Sequence, residues 1–560
     1  MSKDAHRQIA RSLQVVALVF RNPDMRRLQL AWAGESLSIW AFAIALGVYA
    51  FNAGGATAVG IAGLVRLLPG ALASPAAGLV GDRHSRRAVL AASALAAAAM
   101  LTGATVTAAL GAPSGVVYAL AGLFTVAISP YVPAEGALMP VVARTPQELS
   151  AANVAHSAMD NLGFLIGALA TGVLLSVTSP QAVFGLAAAV GLICTLLLAG
   201  LRRDQRPAYA AGTSRSVIAE TASGARSVLV DPKLRLVGAG LVLLVFFEGA
   251  ADVLAVIVVL DLLDLGQGSV GYLNAAWGIG ALLGGTALAV LLSRGQLAAG
   301  LVLGSLIAGG SLALPGIWVV AGVAYLGWLG MGAGYTFVEV AGRTLLQRLG
   351  SDETLARALA ALEAFRFAAM ALGSIAVSGV IALSGVRGAL IGFGALLPAF
   401  ALIRWSALRR LEIGAPVDEA RFRLLRKNAI FAPLPIDTLE RISHDLVAIA
   451  PVAGEQIIAE GDTGDRFYLI AAGEVEVHVN GDFRRNQSTG DSFGEIALLH
   501  AVPRTATVTA LPGCRLFALD REHFISAVTG HRRSNEAAGS VAARRLINSP
   551  EWDDELRGPR

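Results

Sequence analysis

The sequence predicts an all-α membrane bundle of twelve transmembrane helices, arranged as two copies of six, followed by a C-terminal β-roll with flanking helices. The chain has 560 residues, 55% hydrophobic and only 15% charged, which is too apolar for a soluble protein of this size. Apolar stretches long enough to cross a hydrocarbon core of about 30 Å recur as far as residue 408. Beyond residue 411, glycines punctuate short segments of alternating polarity, a pattern typical of β-strands.

Twelve apolar segments make up the predicted membrane part. The first six cover residues 28–51, 57–80, 88–110, 115–142, 149–177 and 180–201, and the second six cover 235–262, 268–292, 296–314, 316–345, 355–384 and 387–408. We therefore assign 28–201 to an N-terminal six-helix half and 235–410 to a C-terminal half. Residues 1–27 form a cytoplasmic segment, in which 5–20 fit either an amphipathic surface helix or a frayed tail, and 202–234 form a cytoplasmic loop between the halves.

The positions of the arginines predict the orientation in the membrane. Cationic clusters precede the first span, follow the second, fill the loop between the halves and follow the last span. The connections around 52–56, 111–114, 178–181, 264–268 and 309–316, in contrast, carry no lysine or arginine. Because these residues accumulate in cytoplasmic loops, both termini are predicted to be cytoplasmic in a multi-pass protein of the inner cell membrane.

The two halves are predicted to be copies of one unit. Tyr131 and Glu135 in the first half match Tyr335 and Glu339 in the second, at a separation of about 204 residues, which is far longer than a solenoid repeat. With a two-residue gap, the alignment continues and places Asp160 opposite Arg366.

The loop after the second span has a recognisable pattern. Residues 78–87 read GLVGDRHSRR, which resembles the G-x-x-x-D-R-x-G-R-R loop of the major facilitator superfamily, with Ser85 in place of the second glycine. The resemblance implies that Asp82, Arg83 and Arg86 act in gating at the cytoplasmic side. The alternative is that these arginines only set the topology.

Ionisable residues inside the spans are candidates for binding substrate or protons. Glu35, Arg66, Glu248 and Asp252 lie within apolar segments, where a charge costs a few kcal/mol (about 2.5 to 3.5 on insertion scales) and usually has a function. A structural role near an interface is the alternative. The chain contains no Gly-Lys pair, so a phosphate-binding P-loop is excluded and transport would be secondary, with proton coupling as the hypothesis.

The C-terminal part carries the most specific pattern of the chain. Residues 493–499 read FGEIALL, and Pro503, Arg504, Ala506 and Thr507 follow at fixed spacing. This pattern resembles the phosphate-binding cassette of cyclic-nucleotide-binding domains, and EGDTGDRFYLI at 460–470 fits the same family.

The chemistry of a cyclic nucleotide explains the residues of the cassette. Arg504 would bind the single phosphate charge, and Glu495 would accept a hydrogen bond from the ribose 2′-hydroxyl. Gly494 would let the backbone approach, so that the N–H groups of Ile496 and Ala497 face the anion. By resemblance Thr505 contacts the base, a role compatible with either cAMP or cGMP as the regulatory ligand.

Two other readings of the C-terminal part are less favoured. GDSFG at 490–494 has the spacing of a hydrolase nucleophile elbow around Ser492, but an elbow belongs in a parallel α/β sheet, which the sequence does not predict. Nucleic acid binding is disfavoured because residues 426–560 contain 15 Lys and Arg against 19 Asp and Glu. We expect neither enzyme activity nor a metal site, and no cofactor other than the regulatory nucleotide.

The sequence thus predicts a secondary transporter, with a small-molecule substrate and lipid as partners, regulated by cAMP or cGMP. Residues 411–427 would be a linker, 428–545 the nucleotide-binding domain and 546–560 a tail. A glycine-rich stretch at 163–172 is similar to a motif of drug exporters and favours export. A membrane receptor that no longer transports is the main alternative; the substrate, the coupling ion and the oligomeric state stay open.

Overall fold

The chain forms two compact units in a computed structural model, the first covering Met1–Glu412 and the second Ile413–Arg560. The structure describes residues 19–202, 226, 228–292, 297–349, 352–411, 419–434, 436–529 and 532–547. Most of the predicted surface helix at 5–20, most of the loop between the halves and most of the tail at 546–560 lie outside these residues.

Helices build the described part of the first unit, apart from short connections. They are α1 (Pro23–Arg83), α2 (Arg86–Ala109), α3 (Ser114–Ile128), α4 (Tyr131–Val142), α5 (Pro146–Val177), α6 (Pro180–Ala199), α7 (Pro232–Ile257) with a π-helical turn Val258–Leu262, α8 (Gly268–Leu292), α9 (Leu297–Ile317), α10 (Ala321–Leu349), α11 (Asp352–Ile403) and α12 (Trp405–Leu411).

Glycines break the two longest helices where the sequence predicts connections between spans. In α1 the break lies at Gly54 and Gly55, and Gly55 has φ 61° and ψ −154°. In α11 it lies at Gly385, with φ 72° and ψ 174°. These dihedral angles belong to a region that glycine alone adopts readily. Each long helix therefore consists of two predicted spans joined by a glycine turn.

Eight helical segments of the described residues are long and apolar enough to cross a membrane, with α3 and α4 counted together as Ser114–Val142. The two helices that contain the glycine breaks are among them. The segment predicted as one span at 115–142 consists of two helices, α3 and α4, which meet at Ser129 and Pro130. Pro130 has no N–H with which to continue the helical ladder, which accounts for the interruption. The chain is thus a multi-pass membrane protein, and the count of twelve crossings stays a prediction.

Small residues allow close packing of the membrane helices. A Cβ atom on Gly249 of α7 would collide with the Met370 carbonyl group of α11, and one on Gly373 would collide with the Phe246 carbonyl group. Lipid tails provide little hydrophobic drive for helix association, so backbone approach of this kind supplies the packing. The crossing of α7 and α11 therefore depends on glycine on both sides.

The second unit contains two antiparallel four-stranded sheets. The strands are β1 (Val447–Ile449), β2 (Gln456–Ile458), β3 (Arg466–Ala472), β4 (Glu474–Val479), β5 (Asp482–Ser488), β6 (Ser492–Phe493), β7 (Thr507–Ala510) and β8 (Arg515–Asp520). One sheet has the order β1-β8-β3-β6 and the other β2-β7-β4-β5. In β4, Val475, Val477 and Val479 are buried, which explains the alternation seen in the sequence.

Helices flank the sheets, as predicted: α13 (Glu419–Lys427), α14 (Ile436–Asp445), α15 (Glu495–His500), α16 (Arg521–Thr529) and α17 (Arg532–Ile547). The prediction that all of 411–427 is a linker is wrong for its last part. Residues Glu419–Lys427 form a helix whose Leu425 is buried in the same core as Phe431, Phe467 and Phe524. This apolar contact draws the segment into the second unit.

Candidate functional site

The predicted cassette is a turn between strand β6 and the short helix α15. Gly494 connects them in the left-handed conformation, with φ 89° and ψ 0°. A Cβ atom at this position would lie 2.7 Å from Arg504 Nη1 and 3.0 Å from the Arg466 carbonyl oxygen. Both the dihedral angles and the close approach therefore require glycine here.

Arg504 is buried, with only 5% of its surface exposed, and hydrogen-bond acceptors of the protein hold its guanidinium group in place. Its Nη1 atom donates to the Gly494 carbonyl oxygen at 3.0 Å, and Nη2 donates to the Arg466 carbonyl oxygen at 2.8 Å. Nη2 also donates to Asp465 Oδ1 at 3.2 Å. Because a guanidinium group has five N–H donors, these three bonds leave two for an anion.

A cavity of about 410 Å³ adjoins the arginine. The structure brings all six residues predicted for the nucleotide together in its wall: Gly494, Glu495, Ile496, Ala497, Arg504 and Thr505. Glu495 is 1% exposed. The cavity thus combines one fixed cation, one buried carboxyl group and a glycine turn, the set of groups that a cyclised ribose phosphate requires.

Sequence reasoning missed three side chains of this site. Asp465 holds Arg504 from the loop before β3. Arg485 and Gln487, two residues apart on strand β5, also line the cavity. Gln487 Nε2 donates to the Ser492 carbonyl oxygen at 3.2 Å, while its buried Oε1 atom has no hydrogen-bond partner among the described residues. The only feature of the sequence that could have indicated Arg485 and Gln487 is their two-residue spacing on one strand.

Ser492, the serine of the alternative hydrolase reading, does not stand on a nucleophile elbow. It is 2% exposed and lies on β6, where it pairs with Leu469 of the antiparallel strand β3. An elbow needs a parallel strand that presents the serine to a cleft. The hydrolase interpretation is therefore disfavoured by the sheet topology.

The four charged residues predicted within the spans fall into different places. Arg66 Nη2 lies 3.9 Å from Asp252 Oδ2, and both line a cavity of about 540 Å³ together with Trp40, Asn274 and Ser374. Glu248 instead accepts a hydrogen bond from the Tyr335 hydroxyl at 2.8 Å and lies 3.6 Å from Arg366. Glu35 is 1% exposed, and its Oε1 atom has no described hydrogen-bond partner.

The predicted gating loop is described only in part. The side chains of Asp82 and Arg83 lie outside the described residues, whereas Arg86 Nη1 donates to the Ala137 carbonyl oxygen at 2.7 Å. Ser85, which departs from the superfamily pattern, caps α2, since its hydroxyl accepts from the Ala88 N–H group at 3.1 Å. Serine thus has a structural function at the position of the missing glycine.

Several solved structures are similar to parts of the chain. The nucleoside transporter NupG is 13% identical, covering 69% of this chain and 99% of that one with a TM-score of 0.58; at this identity the likeness shows the fold. The cAMP-bound PfPKA-R is 35% identical over 20% of this chain and 41% of that chain, with a TM-score of 0.19. The regulatory domain of Toxoplasma gondii PKA with cAMP is 30% identical over 20% and 47%, with a TM-score of 0.20. The chain thus spans less than half of each of these two kinase proteins.

The chain matches two known protein families, one in each of its two units. Residues 452–531 match the cyclic nucleotide-binding domain, which includes the whole cassette and Arg504. Residues 30–374 match the Major Facilitator Superfamily, in agreement with the helical bundle and its glycine-broken helices. The chain is a member of the Major Facilitator Superfamily that carries a C-terminal cyclic nucleotide-binding domain.

Proposed function

We propose that the protein is a secondary active, proton-coupled exporter of a small molecule, and that cAMP or cGMP bound to its C-terminal domain regulates transport. The observation that carries the regulatory part is the cavity beside Arg504, where the predicted cation, carboxyl group and glycine turn converge. We further propose that the protein lies in the inner cell membrane with both termini in the cytoplasm.

The nucleotide would be bound mainly through its phosphate. Arg504 is preorganised by Gly494, Arg466 and Asp465, so little side-chain entropy is lost when it binds an anion. Glu495 would accept the ribose hydroxyl, and Thr505 with Arg485 would face the remainder of the ligand across the cavity.

The transported molecule would enter the cavity that contains Arg66 and Asp252. At 3.9 Å this ion pair is longer than a strong hydrogen-bonded pair, so each partner can exchange its contact for one with a ligand. The rest of the lining is largely apolar, apart from Asn274 and Ser374. A compact amphipathic substrate with one polar or charged end fits such a surface.

Regulation requires that the nucleotide-bound domain favours one conformation of the transporter. A ligand shifts an equilibrium only by its difference in affinity for the two states, and the effect is reciprocal, so a change of transporter conformation must also change nucleotide affinity. Nucleotide binding to the full chain is therefore the first requirement of the proposal.

Titration calorimetry of the full chain in lipid nanodiscs tests this requirement. Both cAMP and cGMP are titrated, and we expect at least one to bind with a stoichiometry of one per chain. Arg504→Ala should abolish measurable binding, whereas Arg515→Ala, which removes an exposed arginine from strand β8 of the same unit, should leave the affinity unchanged. If neither nucleotide binds the parent protein, the regulatory function is wrong.

A further inference from the structure

The two halves of the membrane unit contain matched polar clusters that differ in net charge and in burial. The repeat alignment places Tyr131, Glu135 and Asp160 of the first half opposite Tyr335, Glu339 and Arg366 of the second. Each cluster also receives a glutamate from the first helix of its half, Glu35 from α1 and Glu248 from α7. At the matched positions the first half has Asp160 where the second has Arg366, and Met139 where the second has Arg343.

The cluster of the second half is neutralised by its own side chains. Arg366 lies 3.6 Å from Glu248 and 3.9 Å from Glu339, and Arg343 lies 3.4 Å from Glu339. The Tyr335 hydroxyl donates to Glu248 at 2.8 Å. Two carboxylates thus face two guanidinium groups, and the buried Glu248 has a partner for its charge.

The cluster of the first half has no such neutralisation. It contains the carboxyl groups of Glu35, Glu135 and Asp160, and His156 Nδ1 lies 3.2 Å from Glu135 Oε1. Asp160 Oδ1 accepts from the Ser36 hydroxyl at 2.9 Å. Within the described part of the chain, no lysine or arginine forms an ion pair with these three carboxyl groups.

Buried atoms without partners converge on this cluster. Glu35 is 1% exposed, and Tyr131 and Glu135 are both 0% exposed. Glu35 Oε1, Glu135 Oε2 and the Tyr131 hydroxyl have no hydrogen-bond partner among the described residues. Tyr131 is close enough to Glu35 and Glu135 to interact electrostatically with both, and Cys194 is close enough to interact with Glu35. Buried acceptors in this state require a proton or another cation, because an uncompensated buried carboxylate is costly.

We propose, on the basis of the proton coupling proposed above, that this first-half cluster is the proton-binding site of the transporter. It is formed by Glu35, Tyr131, Glu135, His156 and Asp160. A proton adds to the free carboxyl oxygen of Glu35 and another to that of Glu135; each removes one negative charge and turns an acceptor into an O–H donor. His156, stacked on Trp32 with ring centroids 4.8 Å apart, holds the second oxygen of Glu135 in place. The charge-neutralised second-half cluster remains unprotonated and serves as a structural lock.

The geometry favours a proton over a larger cation. The carboxyl groups of Glu35 and Glu135 are sealed from solvent, and no set of three metal-ligating side chains occurs in the described residues. An organic cation would need the open volume that is present at Arg66 and Asp252 instead. Proton and substrate would therefore occupy separate places. The proposed transport function would couple them through a relative movement of the two spans of α1, because Glu35 lies before the turn at Gly54 and Gly55 and Arg66 lies after it.

Infrared difference spectroscopy of the full chain in nanodiscs, titrated from acid to alkaline pH, tests the assignment without a known substrate. Protonated carboxyl groups absorb separately from carboxylates, and the band shifts in heavy water. We expect Glu35→Gln and Glu135→Gln each to remove a component of the protonated band that survives to neutral pH. Glu339→Gln, the matched change in the second half, should leave the band unchanged.

Asp160→Arg provides a second variant, because it gives the first half the cation of the second. It should hold the glutamates ionised and eliminate the same component. Unfolding is excluded by thermal melting of each variant. A band that Glu35→Gln and Glu135→Gln leave intact, or that Glu339→Gln reduces equally, overturns the proton site. Loss of nucleotide binding by the parent protein would instead overturn the regulatory function and leave this result untouched.

Discussion

Arg504 shows how much of a binding site can be built before its ligand arrives. Two backbone carbonyl groups and Asp465 hold its guanidinium group in a buried position, and only a planar fork of donors can satisfy them while keeping two N–H groups for an anion. A lysine at this place would have three donors on a point charge. The arginine therefore serves both as a support for the glycine turn and as a ligand for phosphate.

Arg504→Lys should accordingly weaken nucleotide binding although the charge is kept. Hydrogen bonds to charged groups contribute about 1.5 to 3 kcal/mol, so the loss of one corresponds to roughly a 10- to 150-fold rise in Kd. Calorimetry in nanodiscs measures the change, with Arg515→Lys as the exposed control. Retention of full affinity would show that charge alone is recognised.

Gly494 and Gly481 form a matched pair of left-handed glycines, with φ 89° and φ 85°. A Cβ at Gly494 meets Arg504 and the Arg466 carbonyl group, whereas at Gly481 nothing lies within 4 Å. Both alanine variants should lose about 1 to 2 kcal/mol of stability from backbone strain. Gly494→Ala alone should also lose nucleotide affinity, measured by calorimetry, and equal affinities in the two variants would contradict the close-contact argument.

A substitution of Arg485 tests whether the part of the cavity wall on strand β5 contributes to nucleotide binding. Arg485→Gln should lower nucleotide affinity and make it less sensitive to salt, because a second cation in the cavity acts on the phosphate charge through long-range attraction. Arg484 is the natural control, since it is the exposed neighbouring arginine on strand β5 and does not line the cavity. Binding isotherms at low and high ionic strength for both variants measure the effect; identical salt dependence in the two would refute it.

The helix breaks were predictable in position but not in form. Composition and hydropathy indicate connections near residues 52–56 and 385–386, yet only the structure shows that Gly55 and Gly385 turn the chain with φ near 60–70° and extended ψ. Both glycines have open space around a hypothetical Cβ, so their requirement is conformational and not one of packing. Periodicity carries no information on such a turn.

Gly385→Ala should therefore destabilise the membrane unit through its backbone alone. A non-glycine residue in this region costs of order 1 to 3 kcal/mol, which should lower the Tm of the protein in nanodiscs. Gly392→Ala, seven residues further within the same helix and also free of contacts, should be neutral or slightly stabilising because alanine favours helix. A normal Tm for Gly385→Ala would contradict the conformational requirement.

The cassette and the membrane charges differ in how far sequence could place them. Gly494 to Ala497, Arg504 and Thr505 are close in sequence and their contacts are local, so spacing predicted that they meet. Asp252 and Glu248 share a helix, yet one faces Arg66 and the other Tyr335. The two residues contact different partners because different helices pack against them. A single sequence does not show which helices are neighbours in the fold. The same limit explains why Asp465 and Arg485 were missed.

At the scale of the whole chain, a transporter of the Major Facilitator Superfamily is joined to a cyclic nucleotide-binding domain. If the domain regulates transport, nucleotide must alter the equilibrium between transporter conformations, and couplings of this kind typically amount to 1–3 kcal/mol, or roughly 5- to 150-fold. This coupling is the central claim, and it is measurable even while the substrate is unidentified.

The most direct measurement uses a reporter cysteine, Ala43→Cys, in the wall of the cavity that contains Arg66 and Asp252. The two native cysteines are buried, and burial raises the pKa of the Cys514 thiol, so background labelling should be slow. In proteoliposomes, cyclic nucleotide should change the rate of labelling by a membrane-impermeant maleimide roughly fivefold or more, and Arg504→Ala should eliminate the response. A labelling rate that ignores nucleotide in the parent protein, or that still responds in Arg504→Ala, would contradict the account.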